Sequence, residues 1–109
     1  MKEQILVLED KRFKQLLEMF DNHGIEYDKN AFCCILEDES FILLREDFVN
    51  SLTVDEVNVV ISHEMAHLTG IIDEEEADRW ALNELNERAQ TILKDMWEHR
   101  HGHEYESNL

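Results

Sequence analysis

Thr53-Val54-Asp55-Glu56-Val57-Asn58-Val59-Val60-Ile61-Ser62-His63-Glu64-Met65-Ala66-His67-Leu68-Thr69-Gly70 carries start, body and stop signals of one helix. Thr53 sits at the N-cap position and Glu56 three residues on, the reciprocal pairing of a capping box. Gly70 offers the left-handed conformation that ends a helix. At ~100° per residue, Val57, Ile61, Met65 and Leu68 share one arc. His63 and His67 fall on the flank of that arc, next to Val60, at the edge of the expected core. Residues four apart on a helix differ by only ~40° in direction, so both imidazoles face the same way.

His63-Glu64-x-x-His67 is therefore a chemical arrangement as well as a helical one. Two imidazole nitrogens at this spacing can each approach one zinc ion to about 2.0–2.1 Å. Glu64, next to the first histidine, suits a general base that accepts a proton from a metal-activated water. A catalytic zinc site needs a third protein ligand. Four acids follow at Asp73, Glu74, Glu75 and Glu76. A second helix is expected from about Asp73 to about Glu98, with Ala77, Ala81, Leu85, Ile92 and Met96 on its buried face. Glu74 and Asp78 project into that apolar face, Glu75 lies at its margin and Glu76 points away. A carboxylate aimed at an apolar face is costly unless paired or metal-bound. Glu74 is thus the first choice of third ligand, and Asp78 the acceptor for a ligand histidine N–H. Asp73 stays open as the alternative, because His63 to Asp73 also reads H-E-x-x-H-x-x-G-x-x-D, with Gly70 making the turn.

The residues before this helix have a different period. Ile5–Leu8 reads as a short strand, and Lys11 to about Asn22 as a helix with Phe13, Leu16, Leu17, Met19 and Phe20 at helical spacing. Asn22-His23-Gly24 is its stop signal. Ala31–Leu36 and Phe41–Arg45 read as strands, joined through Glu37-Asp38-Glu39-Ser40 as a hairpin loop. The expectation is an α+β fold in one domain, residues 1–109, with a short N-terminal sheet, the His63–His67 helix and a long C-terminal helix. The tail from His99 to Leu109 is polar and expected to be flexible.

Composition narrows the partners. The chain has 109 residues, with 10 Lys plus Arg against 26 Asp plus Glu, a formal net charge of −16. Such a chain is repelled by nucleic-acid backbones and anionic lipid surfaces, and suits a metal ion or a basic peptide. Proline is absent and glycine occurs three times, which excludes collagen-like and linker-like chains. The longest early apolar run, Ile5–Leu8, is too short for a secretory signal or a membrane span. Cys33 and Cys34 are adjacent and on a strand would point to opposite faces, so they are read as reduced thiols, one of them buried, in a cytoplasmic protein.

His63-Glu64-x-x-His67 followed by Glu74-x-x-Ala77-Asp78-x-Trp80-Ala81 resembles the gluzincin pattern of zinc peptidases. The E-x-x-A-D-x-aromatic-A form is similar to that of the membrane Ste24/HtpX-type peptidases and of the soluble ImmA/IrrE-like peptidases. The motif covers residues 63–81. The resemblance implies a minimal zincin-like domain, of a kind also met in phages, in which His63, His67 and Glu74 bind Zn2+. It further implies that Glu64 is the catalytic base and that Asp78 orients a histidine. It also implies that the strand near Phe41–Arg45 is an edge strand able to pair with extended substrate. His67 to Glu74 is shorter than the usual gap and demands a tight turn through Gly70-Ile71-Ile72.

The function expected from these residues is zinc-dependent hydrolysis of peptide bonds. The expected substrate is an unfolded or flexible protein segment, and the acidic surface could favour basic ones. The alternative is a non-catalytic acidic interaction or inhibitor protein, of phage type, whose metal site is structural or vestigial. Three further groups remain to be assigned. His99, His101 and His103 read as a polar tail that could also hold a surface metal or reach the active site. Tyr27 and Tyr105 are candidates to stabilise an oxyanion, and Trp80 and Trp97 are read as packing residues.

Overall fold

The computed structural model describes residues 3–20 and 30–106. The order of elements is β1 (Glu3–Leu8), α1 (Asp10–Phe20), β2 (Ala31–Leu36), β3 (Glu39–Arg45), α2 (Glu46–Asn50), α3 (Val54–Leu68), α4 (Glu74–Leu82), α5 (Glu87–Asp95) and α6 (Trp97–His101). This is an α+β fold. The elements fall into two compact units, divided between Thr53 and Val54. The stop signal at Asn22-His23-Gly24 and Tyr27 lie outside the described residues.

The first unit is a three-stranded sheet in the order β1-β3-β2, with α1 packed on it. β3 lies in the middle. It runs parallel to β1, from Glu3↔Ser40 to Leu8↔Arg45, and antiparallel to β2, from Ala31↔Leu44 to Leu36↔Glu39. The expectation that Phe41–Arg45 is an edge strand is therefore wrong. Both of its hydrogen-bonding edges are taken, and a peptide can add only to β1 or β2. Its side chains agree, since Ile42, Leu43 and Leu44 are all buried, the pattern of a strand covered on both faces.

The hairpin is tighter than the expected four-residue loop. Glu39 and Ser40 belong to β3, and only Glu37 and Asp38 turn, with φ of 49° and 69°. A two-residue hairpin loop favours positive φ at both positions because that twist matches the strands. Phe13 and Phe32 meet edge to face at 5.2 Å and form, with Leu43, the core beneath α1. Arg45 fastens the end of β3, donating to Asp10 Oδ1 at 2.9 Å and from Nε to Asn30 Oδ1 at 3.0 Å. Cys33 and Cys34 are both half-buried and form no disulfide, and burial pushes the Cys34 thiol up, towards the protonated form.

The second unit is helical. α3 starts at Val54, directly after Thr53, and runs through both histidines. Its fully buried face is Val59, Ser62, His63 and Ala66, a stripe rotated from the expected arc of Val57, Ile61, Met65 and Leu68. His63 thus lies in the interior, while His67, one turn on, is half-buried. The expected continuous helix from Asp73 to Glu98 is interrupted. α4 ends at Leu82, and Asn86 starts α5 by accepting the Ala89 N–H at 2.9 Å. Gln90 fills the gap, donating to the carbonyls of Leu82 at 3.0 Å and Leu85 at 2.9 Å. A straight helix would carry residues four apart steadily off one face, about 40° each step. The break resets the phase, so that Ala81, Leu85, Ala89, Leu93 and Trp97 all reach the same core. Met96, expected inside, is exposed, and Trp97 takes the interior position at 0% exposure. No described helix is long and apolar enough to cross a membrane.

Candidate metal centre

The turn between α3 and α4 builds the site. Gly70 adopts φ +107°, a conformation that L side chains rarely enter. The chain reverses within Gly70-Ile71-Ile72, and Asp73 caps α4 by accepting the Glu76 N–H at 2.9 Å. Capping thus engages Asp73 Oδ2, while Glu74, one residue on, is the acid grouped with the histidines. Glu74 Oε2 lies 3.0 Å from His63 Nε2 and Oε1 lies 3.1 Å from His67 Nε2. The two Nε2 atoms are 3.0 Å apart. Glu74 was expected within an apolar face, but as the first residue of α4 its side chain is 69% exposed, so the site opens to solvent on that side.

The tautomers follow from the far sides of the rings. His67 Nδ1 lies 2.7 Å from the Ile71 carbonyl, which can only accept, so Nδ1 carries the proton. His63 Nδ1 lies 2.6 Å from Asp78 Oδ1 and donates to it. Both Nε2 atoms can therefore turn a lone pair towards the same point, where a carboxylate also converges. Three acceptors this close repel unless a cation lies among them, either a proton on one ring or a metal. The ligand atoms of His63, His67 and Glu74 all lie within 4.8 Å of one another. A tetrahedral zinc with bonds of about 2.0–2.1 Å needs donors about 3.3 Å apart, close to the separations here. The donor set of two imidazoles and a carboxylate fits that ion. Glu64 is half-buried on α3 beside His63.

Asp78 is fully buried, and four hydrogen bonds satisfy it. His63 Nδ1 and Arg100 Nη2, at 2.6 and 3.1 Å, donate to Oδ1. Arg100 Nε at 2.7 Å and His101 Nε2 at 2.6 Å donate to Oδ2. Burial alone would raise the Asp78 carboxyl, but the hydrogen bonds from His63 and Arg100, with the Arg100 charge, prevail and hold it at about 2. Burial disfavours a charged His63, yet the Asp78 hydrogen bond and the charges of Asp78, Glu74 and Glu64 outweigh that and raise its pKa.

Residues of the expected tail thus belong to structure. Trp97–His101 form α6, closed by Gly102 at φ 81°. His101 stacks edge to face on Trp97 at 4.8 Å and reaches Asp78, whereas His103 bonds Glu75 Oε1 at 2.9 Å. Tyr105 packs on Trp97 at 4.9 Å, with the Arg79 guanidinium 5.6 Å from its ring. Arg100 and His101 were not singled out as partners of Asp78. The available signal was the cost of Asp78 itself, since one histidine cannot satisfy both oxygens of a buried carboxylate.

Residues 4–71, well over half of the 109, match peptidase family M48. The chain belongs to that family. The matched stretch takes in the sheet, α3 and its two histidines, and ends before Glu74 and Asp78. Members are metallopeptidases, so the family supports a hydrolase that uses a metal. No curated protein and no solved structure matches the chain significantly.

Proposed function

We propose that this protein is a zinc-dependent endopeptidase in which His63, His67 and Glu74 hold the metal and Glu64 is the general base. The observation that carries the reading is the convergence of His63 Nε2, His67 Nε2 and the Glu74 carboxylate within 3.0–3.1 Å, with both Nδ1 atoms committed elsewhere. A bound zinc ion would polarise the scissile carbonyl and make water a nucleophile near neutral pH. The chain supplies the remaining parts. Glu64 accepts the proton of the attacking water and returns it to the leaving amine. Asp78 holds His63 in one orientation, and the Ile71 carbonyl does the same for His67. The exposed side of Glu74 leaves a route for a peptide to approach.

The formal charge of −16 supports flexible, Lys/Arg-rich segments as substrates. Their cleavage should slow as salt rises, and equal rates on acidic peptides at low salt would remove this preference. Glu64→Gln tests the mechanism. Purified wild type should carry about one zinc per chain by elemental analysis and cleave an unfolded protein. The variant should keep the zinc and lose hydrolysis by at least ~100-fold. A variant that hydrolyses at the wild-type rate would remove Glu64 from catalysis. A wild type that binds no zinc would remove the metal reading altogether.

A further inference from the structure

The geometry points to Arg100 and His101 as positioning residues of the metal centre, a clamp on Asp78 that keeps His63 Nε2 available as a ligand. The inference rests on the proposed zinc site and adds a segment that lies beyond the matched region, twenty-nine residues after Ile71.

Asp78 could in principle turn its carboxylate several ways within α4. It is held because each oxygen has two donors, and Arg100 supplies one to each oxygen through Nε and Nη2. A planar fork of this kind fixes the carboxylate plane as well as its place. His101 Nε2 then fills the remaining position on Oδ2 at 2.6 Å. What is left on Oδ1 faces His63 Nδ1 at 2.6 Å. At that distance two acceptors would repel, so the proton must be on Nδ1. Arg100 Nη2 and His63 Nδ1, 3.4 Å apart, are two donors sharing Oδ1 and not a bonded pair. With Nδ1 protonated in the neutral ring, the lone pair is on Nε2, where Glu74 and His67 converge.

The clamp is itself anchored. His101 has a side-chain exposure of 6%, packs on Trp97 and follows Arg100 on α6. Trp97 is fully buried in the helical core. α6 therefore connects that core to the ligand sphere, through Trp97 to His101 to Asp78 to His63. Groups that orient a metal's ligands typically change its affinity 10–100-fold when removed.

The test measures Zn2+ affinity of the full chain by competition with a chelating indicator, the visible spectrum of the Co2+ form, and the melting temperature without metal. Arg100→Gln and His101→Phe should each weaken Zn2+ about 10–100-fold and alter the Co2+ bands. Arg100→Lys should lie between, because it restores charge without the fork. His103→Gln, a change in the same segment that leaves Asp78 untouched, should keep wild-type affinity. A general loosening of the fold would instead lower melting without this order of affinities, and that result would overturn the inference. Should Arg100→Gln not fold, Arg100→Lys and His101→Phe decide the matter. Folded variants that bind Zn2+ within about twofold of wild type overturn the clamp and leave the zinc site standing. A wild type without Zn2+ affinity overturns both.

Discussion

His63 and His67 bring the same ring nitrogen to the same point but are held by unlike means. His63 is buried and donates to a fully buried carboxylate that also takes Arg100 and His101. His67 is part-exposed and donates to one backbone carbonyl, that of Ile71, in the turn beside Gly70. The first anchor needs a costly buried charge, Asp78 on α4, and two side chains of α6, Arg100 and His101. The second uses a carbonyl that the turn presents anyway. A charged anchor is strong because it is costly, and losing one partner leaves the others unpaired. A backbone anchor has little to lose, but it depends on the turn keeping its shape. The two histidines should therefore fail differently.

The largest effect belongs to Asp78. Asp78→Ala leaves His63, Arg100 and His101 without their shared acceptor and opens space in the interior. The metal-free protein should lose about 3–5 kcal/mol of stability in urea unfolding. A loss under ~1 kcal/mol would show that the carboxylate matters less to the fold than its burial implies. The equivalent disturbance at His67 cannot be made by deleting a side chain, since its acceptor is main chain.

Acid should reveal the same asymmetry without mutation. The Asp78 carboxyl is held at about 2 in the fold against an ordinary 3.8. A depressed carboxylate adds stability that is fully present above its unfolded value and is lost as pH falls through its folded value. The shift corresponds to about 2 kcal/mol, lost between about pH 4 and pH 2. His63 acts with the opposite sign, because its pKa is raised. Its contribution in the metal-free protein is present below its ordinary value of 6.5 and disappears as pH rises past the raised one. Stability of the metal-free chain should thus peak in mildly acidic solution. A flat profile from pH 3 to pH 8 would contradict both shifts.

Gly70→Ala addresses the weaker anchor. A Cβ there meets nothing within 4 Å, so the cost is purely that of φ +107°. About 1–2 kcal/mol is expected for placing an L side chain in such a conformation. If the turn relaxes instead, the Ile71 carbonyl leaves His67, and Zn2+ affinity should fall by less than it does in Asp78→Ala. An affinity loss larger than that of Asp78→Ala would reverse the ranking of the two anchors.

Much of this was readable from residue types, for identifiable reasons. His63, His67, Glu74 and Asp78 come together through local spacing, i to i+4 on one helix and i to i+4 on the next, across a turn that Gly70 marks. The order of strands and helices follows from hydrophobic period. What was not readable depends on partners distant in sequence. Nothing in Phe41–Arg45 says that β1 covers its free edge, because a parallel neighbour leaves no turn signal between the strands. The long-helix reading failed at Asn83–Asn86, where polar residues are equally at home on an exposed helical face. The cap from Asn86 to Ala89 and the Gln90 bonds to the Leu82 and Leu85 carbonyls mark the break, and the break decides that Trp97 rather than Met96 is inside. Arg100 and His101 were hidden for the same reason, since their role exists only once α6 returns to α4.

The smallest effect should come from the pair that most resembles the clamp in sequence. His103 bonds Glu75, whose other oxygen takes Arg79 Nη2 at 2.8 Å, but both partners sit at the surface. The hydrogen bond from His103 and then that from Arg79 lower the Glu75 carboxyl, and Glu75, with the Glu104 carbonyl, raises His103. The carboxylate's share is present above 4.5 and the imidazolium's below 6.5, so the pair is complete between those values. Exposed ion pairs contribute little and are screened by salt. His103→Gln should therefore lower the melting temperature slightly between pH 4.5 and 6.5 at low salt, and not at all at pH 9 or in high salt. Two histidines two residues apart, His101 and His103, would then differ in consequence because one faces a buried carboxylate and the other faces water. An effect of His103→Gln that matched His101→Phe would mean that the segment acts as one unit, and that position relative to Asp78 is not what separates them.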